Sequence, residues 1–96
     1  WLTPVTSSAA PRLGEQAPTV EFDTLLERVV SFAAYTPLHN VAGTPAMSVP
    51  FTRNKDGLPI GVQLSTHIGG EALLLQLAYQ LEEARPWAFD LPTVHA

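Results

Sequence analysis

The chain has 96 residues, enough for one small domain, and carries five Lys and Arg against nine Asp and Glu, a formal net charge of −4. This acidic balance argues against nucleic acid and against an anionic membrane surface as partners, because both need a basic patch. The absence of cysteine excludes disulfide frameworks, thiolate zinc sites and cysteine nucleophiles, and it favours a cytoplasmic location.

The surface chemistry predicts an incomplete domain. Hydrophobic residues make up 46% of the chain and charged residues 15%, against a usual charged share of about 25%. A small domain exposes much of its surface and should need more charge than average. The chain also begins with Trp1 instead of methionine. We therefore expect residues 1–96 to be a single piece of a larger domain, incomplete without upstream residues; the alternative is a small domain that hides its apolar faces by self-association.

The first half of the chain predicts a strand, a loop and a helix. Trp1–Val5 has the composition of a buried strand, and Pro4, which lacks an N–H, places it at a sheet edge or ends it there. Prolines and a glycine keep Thr6–Val20 irregular. Apolar residues at three- and four-residue steps predict a helix over Phe22–Ala34, which Pro37 is expected to end.

A β-hairpin is predicted in the centre. Pro45–Thr52 and Leu58–Ser65 have strand patterns, and the polar tract between them contains Asp56 and Gly57, which favour a tight reversal. The strands should therefore pair antiparallel. Since Pro50 cannot donate to the ladder, it should occupy a position without a hydrogen bond or a bulge.

The strongest helix is predicted over Glu71–Arg85. Its broad apolar arc indicates burial against more than one layer, and it comprises Leu73, Leu74, Leu75, Leu77, Ala78, Tyr79, Leu81 and Ala84. Arg85 suits the negative end of the helix dipole and Pro86 ends the helix. The aromatic tail Trp87–Pro92 is expected to be irregular and packed along a surface.

Few side chains in this sequence suit catalysis. Ser7 and Ser8 stand among Thr, Ala and Pro without the glycine-rich surroundings typical of an oxyanion site. Lys55 lies in the polar hairpin tract, where it should stay solvated and protonated. No metal or cofactor is expected, because the three histidines lie too far apart in sequence for a local metal motif. They are His39, His67 and His95.

The stretch from Tyr35 to Pro50 combines stiffening prolines with residues that tolerate positive φ, Asn40 and Gly43. The physical chemistry of these residues favours a rigid linker that orients the following strand. It favours this role over that of a segment that contacts a ligand. His39 lies in this linker and is a candidate pocket residue.

Three motifs in one order resemble the C-terminal end of amidase signature enzymes. They are Asn-x-x-Gly-x-Pro-Ala-x-Ser-Val-Pro at 40–50, Asp-Gly-Leu-Pro-x-Gly-x-Gln at 56–63, and Glu-x-Ala-Arg-Pro-Trp at 82–87. The opening Leu2–Pro4 also resembles a late family strand that ends in Thr-Pro. Ten motif positions are expected to serve structure: Gly43, Pro45, Pro50, Gly57, Pro59, Gly61, Gln63, Arg85, Pro86 and Trp87.

The resemblance implies an α/β fold, part of an α/β/α sandwich around a mixed sheet, represented here by an N-terminal strand, a helix, a β-hairpin and a C-terminal helix. It implies a parent protein that hydrolyses amide bonds of small molecules through a Ser–cis-Ser–Lys triad and an acyl-enzyme. Ser7, Ser8 and Lys55 do not match the family's catalytic positions. We therefore expect no catalytic residue in this chain, which should be inactive without the remainder of the amidase domain.

In the family, late segments help to shape the acyl-binding side of the pocket. The resemblance makes Tyr35, Thr36, His39 and Asn40 the candidate substrate-pocket residues. The Arg-Pro-Trp ending is more similar to free-standing amidases, including hydrolases of the 6-aminohexanoate cyclic dimer, than to the tRNA-dependent amidotransferase subunit. A glutamine-dependent amidotransferase subunit and a non-enzymatic interaction module remain the alternatives.

Overall fold

Three strands and three helices make up the described part of the chain, with the α/β architecture that the resemblance implies and one helix more than expected. A computed structural model describes residues 1–88. Its elements are β1 (Leu2–Pro4), α1 (Phe22–Phe32), α2 (Pro37–Ala42), β2 (Ala46–Arg53), β3 (Pro59–Ser65) and α3 (Glu71–Ala84). The part of the predicted tail from Phe89 onward, together with His95, lies outside the described residues. None of the described helices has the length and apolar character needed to cross a membrane.

The strands form an antiparallel sheet in the order β1-β3-β2. The central strand β3 places Gln63 between Thr3 of β1 and Ser48 of β2. Within the described residues β1 and β2 are the edges, which accommodates a proline in each of them. The register of β2 shifts between Pro50 and Thr52, which places Pro50 at an irregularity of the strand, in line with the expected bulge or position without a hydrogen bond.

The turn of the hairpin is built around Asn54 and Gly57. The Asn54 side-chain oxygen accepts hydrogen bonds from the backbone N–H groups of Asp56 and Leu58, both at 2.9 Å. Gly57 has φ +80°, a left-handed conformation that glycine adopts without strain, and its N–H donates to the Asn54 carbonyl. These contacts confirm the predicted hairpin and leave Lys55 exposed at its tip.

One face of the sheet packs against α3 and forms the core. Val49, Leu64 and Leu74 are buried to 6–7% exposure. The partly buried residues around them are Met47, Val62, Leu77, Ala78, Leu81 and Trp87. The predicted apolar stripe of α3 is thus confirmed, but only its central part is covered. Leu73, Leu75 and Tyr79 remain exposed, and burial of α3 against a second layer stays a prediction.

The first strand and first helix are less buried than their compositions predict. Leu2 in β1 is 68% exposed because the strand is short and lies at the sheet edge. Phe22 is 70% exposed, and α1 contains no buried residue. The described residues therefore leave the first strand uncovered, and its burial in a larger domain stays a prediction.

The ends of the first helix also differ from the prediction. α1 ends at Phe32, not at Ala34, and the Ala33 N–H closes its last turn on the Val29 carbonyl. Pro37 does not end this helix but begins another, α2, so the predicted linker is partly helical. The physical reason is that a proline at the first helical position has no N–H that needs a partner, and its fixed φ suits the helix.

Candidate functional site

The sheet face opposite α3 is polar. Alternation along the strands places Ser48, Gln63 and Ser65 on this face, because neighbouring residues point to opposite sides. The backbone approaches closely here at Gly61. A Cβ atom at that position would lie 3.0 Å from the Ser48 hydroxyl oxygen and 3.2 Å from a Val5 methyl. Glycine therefore lets the segment after β1 lie directly against the hairpin.

The short helix α2 places His39 beside this polar face. Gly43 adopts φ +65° at the C-terminal cap, and its N–H donates to the His39 carbonyl. The His39 side chain is buried to 8% exposure. Its Nδ1 lies 3.0 Å from the Thr44 hydroxyl oxygen, within hydrogen-bonding distance. The cap that ends α2 thus also brings the two side chains together.

Two cavities meet at this pair. The first, called the Trp1 cavity, has a volume of about 490 Å³ and includes Trp1, Leu38 and His67 in its wall. The second, called the Gln63 cavity, has a volume of about 310 Å³. Its polar wall residues are Thr36, His39, Asn40, Thr44, Ser48 and Gln63. His39 and Thr44 belong to both walls.

Three of the four candidate pocket residues lie in the wall of the Gln63 cavity, and the fourth does not. Thr36, His39 and Asn40 all line the Gln63 cavity, so the structure brings three of them together. The Thr36 hydroxyl donates to the Ala33 carbonyl at 3.5 Å. Tyr35 is exposed and is absent from the walls of the Gln63 and Trp1 cavities.

The sequence motifs predict only a structural role for Gln63. They do not mark Thr44 or Ser48 as pocket residues. Gln63 is 3% exposed, and its side-chain nitrogen has no hydrogen-bond acceptor within residues 1–88. A signal was present in the sequence, because Gln63 stands between Val62 and Leu64 in a strand with apolar residues on its other face. A polar residue buried in that position needs a partner.

The remaining motif positions lie at turns, element ends and packing contacts. Pro45 precedes β2, and its carbonyl accepts from Thr66 N–H at 3.2 Å. Pro59 begins β3 opposite Arg53. At the end of α3 the guanidinium carbon of Arg85 lies 5.6 Å from the centre of the Phe51 ring, a cation–π contact. Pro86 follows, and Trp87 packs against the core. This ending fastens α3 to the hairpin.

The side chains that could act in catalysis lie apart from this site. Ser7 and Ser8 are exposed in the loop after β1, and the Ser8 hydroxyl donates to the Ala9 carbonyl at 3.2 Å. Lys55 is exposed at the hairpin tip. Across residues 1–88 no three His, Asp or Glu side chains gather as a metal site. The site described here can shape a pocket and offer hydrogen-bonding groups.

Known proteins resemble this chain in both sequence and structure. The model of the family described as Amidase matches residues 1–75. The chain is 52% identical to "Putative amidase AmiC" of Mycobacterium tuberculosis (strain ATCC 25618 / H37Rv), covering 91% of this chain and 18% of that protein. It is 37% identical to the 6-aminohexanoate-cyclic-dimer hydrolase of Pseudomonas sp. (strain NK87), covering 95% and 20%.

A solved structure of a 6-aminohexanoate cyclic dimer hydrolase matches with a TM-score of 0.77 and 37% sequence identity, covering 90% of this chain and 19% of that one. The chain thus spans about a fifth of the length of these relatives. The resemblance indicated by the three motifs is confirmed. This chain belongs to the amidase family.

Proposed function

We propose that this chain is the C-terminal part of an amidase domain that hydrolyses the C–N bond of small linear or cyclic amides. The observation that carries the proposal is the structural match to a 6-aminohexanoate cyclic dimer hydrolase, with a TM-score of 0.77 and 37% identity over 90% of the chain. Both the fold and the sequence therefore support descent from an amide-hydrolysing enzyme, whereas fold similarity alone would not indicate an activity.

The proposal divides the work between this chain and the rest of the domain. The remainder supplies the Ser–cis-Ser–Lys triad and forms the acyl-enzyme, and the 96 residues alone are inactive. Ser7 and Ser8 in an exposed loop and Lys55 at an exposed hairpin tip support this division. Within residues 1–88 none of them has the partners that activate a nucleophile or base. The exposed apolar residues of α1, among them Phe22 and Val30, suit a contact with that remainder.

This chain's own contribution is one wall of the acyl pocket. Thr36, His39 and Asn40 line a cavity of about 310 Å³, and Tyr35 stands one residue before Thr36 at the entrance to α2. Hydroxyl and amide groups set in a partly apolar wall suit an uncharged amide substrate. The lack of cysteine supports a cytoplasmic location for the enzyme, which cell fractionation would test.

The test uses the whole protein that contains this chain, incubated with hexanamide, adipamide and the cyclic dimer of 6-aminohexanoate. Release of ammonia or of the ring-opened product is expected from at least one of them. A fluorophosphonate probe should then label a serine outside residues 1–96. Labelling of Ser7 or Ser8 would contradict the proposed division. Activity confined to glutamine-dependent transfer with a partner subunit would favour an amidotransferase, and no turnover would favour an interaction module.

A further inference from the structure

The turn of the hairpin contains an aspartate followed directly by a glycine, Asp56 and Gly57. This pair has a chemistry of its own, because the glycine nitrogen can attack the side-chain carboxyl carbon of the aspartate and close a succinimide ring. Glycine has no side chain that hinders the attack, and its backbone reaches the required conformations easily. The other aspartate within residues 1–88 is Asp23, which precedes the stiffer, β-branched Thr24 inside α1. Ring closure is therefore favoured at Asp56 and opposed at Asp23.

The reaction needs no reagent besides water. The Gly57 nitrogen forms a bond to Cγ of the protonated Asp56 carboxyl group, and the proton of that nitrogen leaves with the carboxyl hydroxyl as a water molecule. Another water molecule then opens the succinimide at either of its carbonyl groups. Opening at one carbonyl restores aspartate, whereas opening at the other leaves the main chain running through the Asp56 side chain, as isoaspartate. The product keeps the mass of the protein but has an additional methylene in its backbone.

Hydrogen bonds hold the atoms that would react. The Gly57 N–H donates to the Asn54 carbonyl at 3.0 Å, and the Gly57 carbonyl accepts from Arg53 Nη1 at 2.9 Å. The Asn54 side-chain oxygen accepts from the N–H groups of Asp56 and Leu58, both at 2.9 Å. The Gly57 nitrogen must leave its hydrogen bond and rotate towards the carboxyl group before it can attack. All of these contacts form between Arg53 and Leu58, so they do not need the rest of the domain.

We propose that Asp56 is a site of spontaneous isomerisation to isoaspartate, and that the side chain of Asn54 controls the rate by keeping the turn closed. The reaction proceeds only while the turn is open, so its rate follows the fraction of molecules in which this segment has opened locally. The additional methylene would lie in the turn that sets the pairing of Arg53 with Pro59, so the modified protein loses the register of its hairpin. This inference goes beyond the proposed amide hydrolysis and does not depend on it.

The experiment incubates the whole protein at mildly acidic pH and digests samples over time. Chromatography with mass spectrometry then separates the peptides that contain aspartate and isoaspartate at position 56. Asn54→Ala removes the acceptor of two N–H groups and should raise the isomerisation rate about tenfold to thirtyfold, the factor that two neutral hydrogen bonds contribute to an opening equilibrium. Asn54→Asp keeps an oxygen acceptor and is the matched control, which should stay close to the wild-type rate. In denaturant, which removes the turn, all three proteins should react equally fast.

Three results would overturn the inference. Equal rates for the wild-type protein in buffer and in denaturant would show that the turn does not slow the reaction, and this comparison needs no variant that folds. Equal rates for Asn54→Ala and Asn54→Asp in buffer would show that the side-chain acceptor plays no part. Absence of isoaspartate at Asp56 even in denaturant would remove the site itself.

Discussion

The Nδ1 atom of His39 lies 3.0 Å from the hydroxyl oxygen of Thr44, across the glycine cap that ends α2. His39 is buried, and Thr44 N–H also donates to the His39 carbonyl at 3.2 Å. The two residues are therefore joined through both backbone and side chains. Both residues belong to the walls of the Trp1 cavity and the Gln63 cavity, so this pair forms part of the boundary between the two.

Thr44→Val tests this pair. Valine keeps the shape of threonine but removes the hydroxyl, so the buried imidazole of His39 loses its partner. We expect the free energy of unfolding of the whole protein to fall by about 1–3 kcal/mol. Thr44→Ser, which keeps the hydroxyl, is the control and should retain most of the stability. Equal losses in the two variants would show that the hydrogen bond does not matter.

Gly61→Ala tests the close approach between the hairpin and the segment after β1. The new Cβ would lie 3.2 Å from both the Val49 carbonyl oxygen and a Val5 methyl. Overpacking of this kind typically costs about 1–3 kcal/mol, measured here by chemical denaturation. Combining Gly61→Ala with Val5→Ala removes one of the crowded contacts and should recover part of the loss. Strict additivity of the two changes would argue against direct contact.

Leu74→Ala tests the core between α3 and the sheet. Leu74 is buried together with Val49 and Leu64, so its truncation leaves a cavity. We expect a loss of about 2–5 kcal/mol in the free energy of unfolding. Gln80→Ala, on the exposed face of the same helix, should change stability by less than about 0.5 kcal/mol. A similar small change for Leu74→Ala would be incompatible with this packing.

Glu21 gives α1 a pH-dependent cap. Its carboxylate accepts from the backbone N–H groups of Thr24 and Asp23, each at 3.0 Å, and these hydrogen bonds lower the pKa of Glu21 from its ordinary value. A lowered pKa stabilises the fold above the unfolded value, and this stabilisation is lost as the pH falls through the folded value.

The expected result is a higher thermal midpoint for the wild-type protein than for Glu21→Gln at pH 6. The difference in thermal midpoint should shrink as the pH falls below about 4.5, because protonation then removes the negative charge of Glu21. The glutamine variant lacks this charge at every pH. Glu27→Gln, on the exposed surface of the same helix, serves as the control for a general charge effect. A gap that stays constant between pH 6 and pH 3.5 would disprove the cap.

Local sequence signals predicted the elements whose structure is decided locally. The hairpin followed from two alternating strands joined through Asp56 and Gly57, and the structure shows Gly57 in the left-handed conformation that the turn needs. The core stripe of α3 followed from its periodicity. The role of Pro37 was predicted wrongly because a proline can follow the end of one helix or occupy the first position of the next. Which of these occurs depends on where the preceding helix ends.

Contacts between different elements of the fold could not be predicted from the sequence pattern. The sequence marked His39 as a pocket candidate, but its pairing with Thr44 depends on the cap geometry of α2. Gln63 could be assigned to a strand, yet the lack of an acceptor for its side-chain nitrogen within residues 1–88 emerges only when the neighbouring groups are in place. The exposure of Leu2 and Phe22 likewise depends on which elements pack nearby.

The central claim is that these 96 residues form one wall of the substrate pocket in an amide hydrolase whose catalytic groups lie elsewhere in the same domain. The most direct measurement compares amide hydrolysis by the whole protein with that by the isolated 96-residue chain, at equal molar concentration and on the same amides. Our account predicts turnover by the whole protein and none by the isolated chain. Turnover by the isolated chain, or an inactive whole protein, would contradict it.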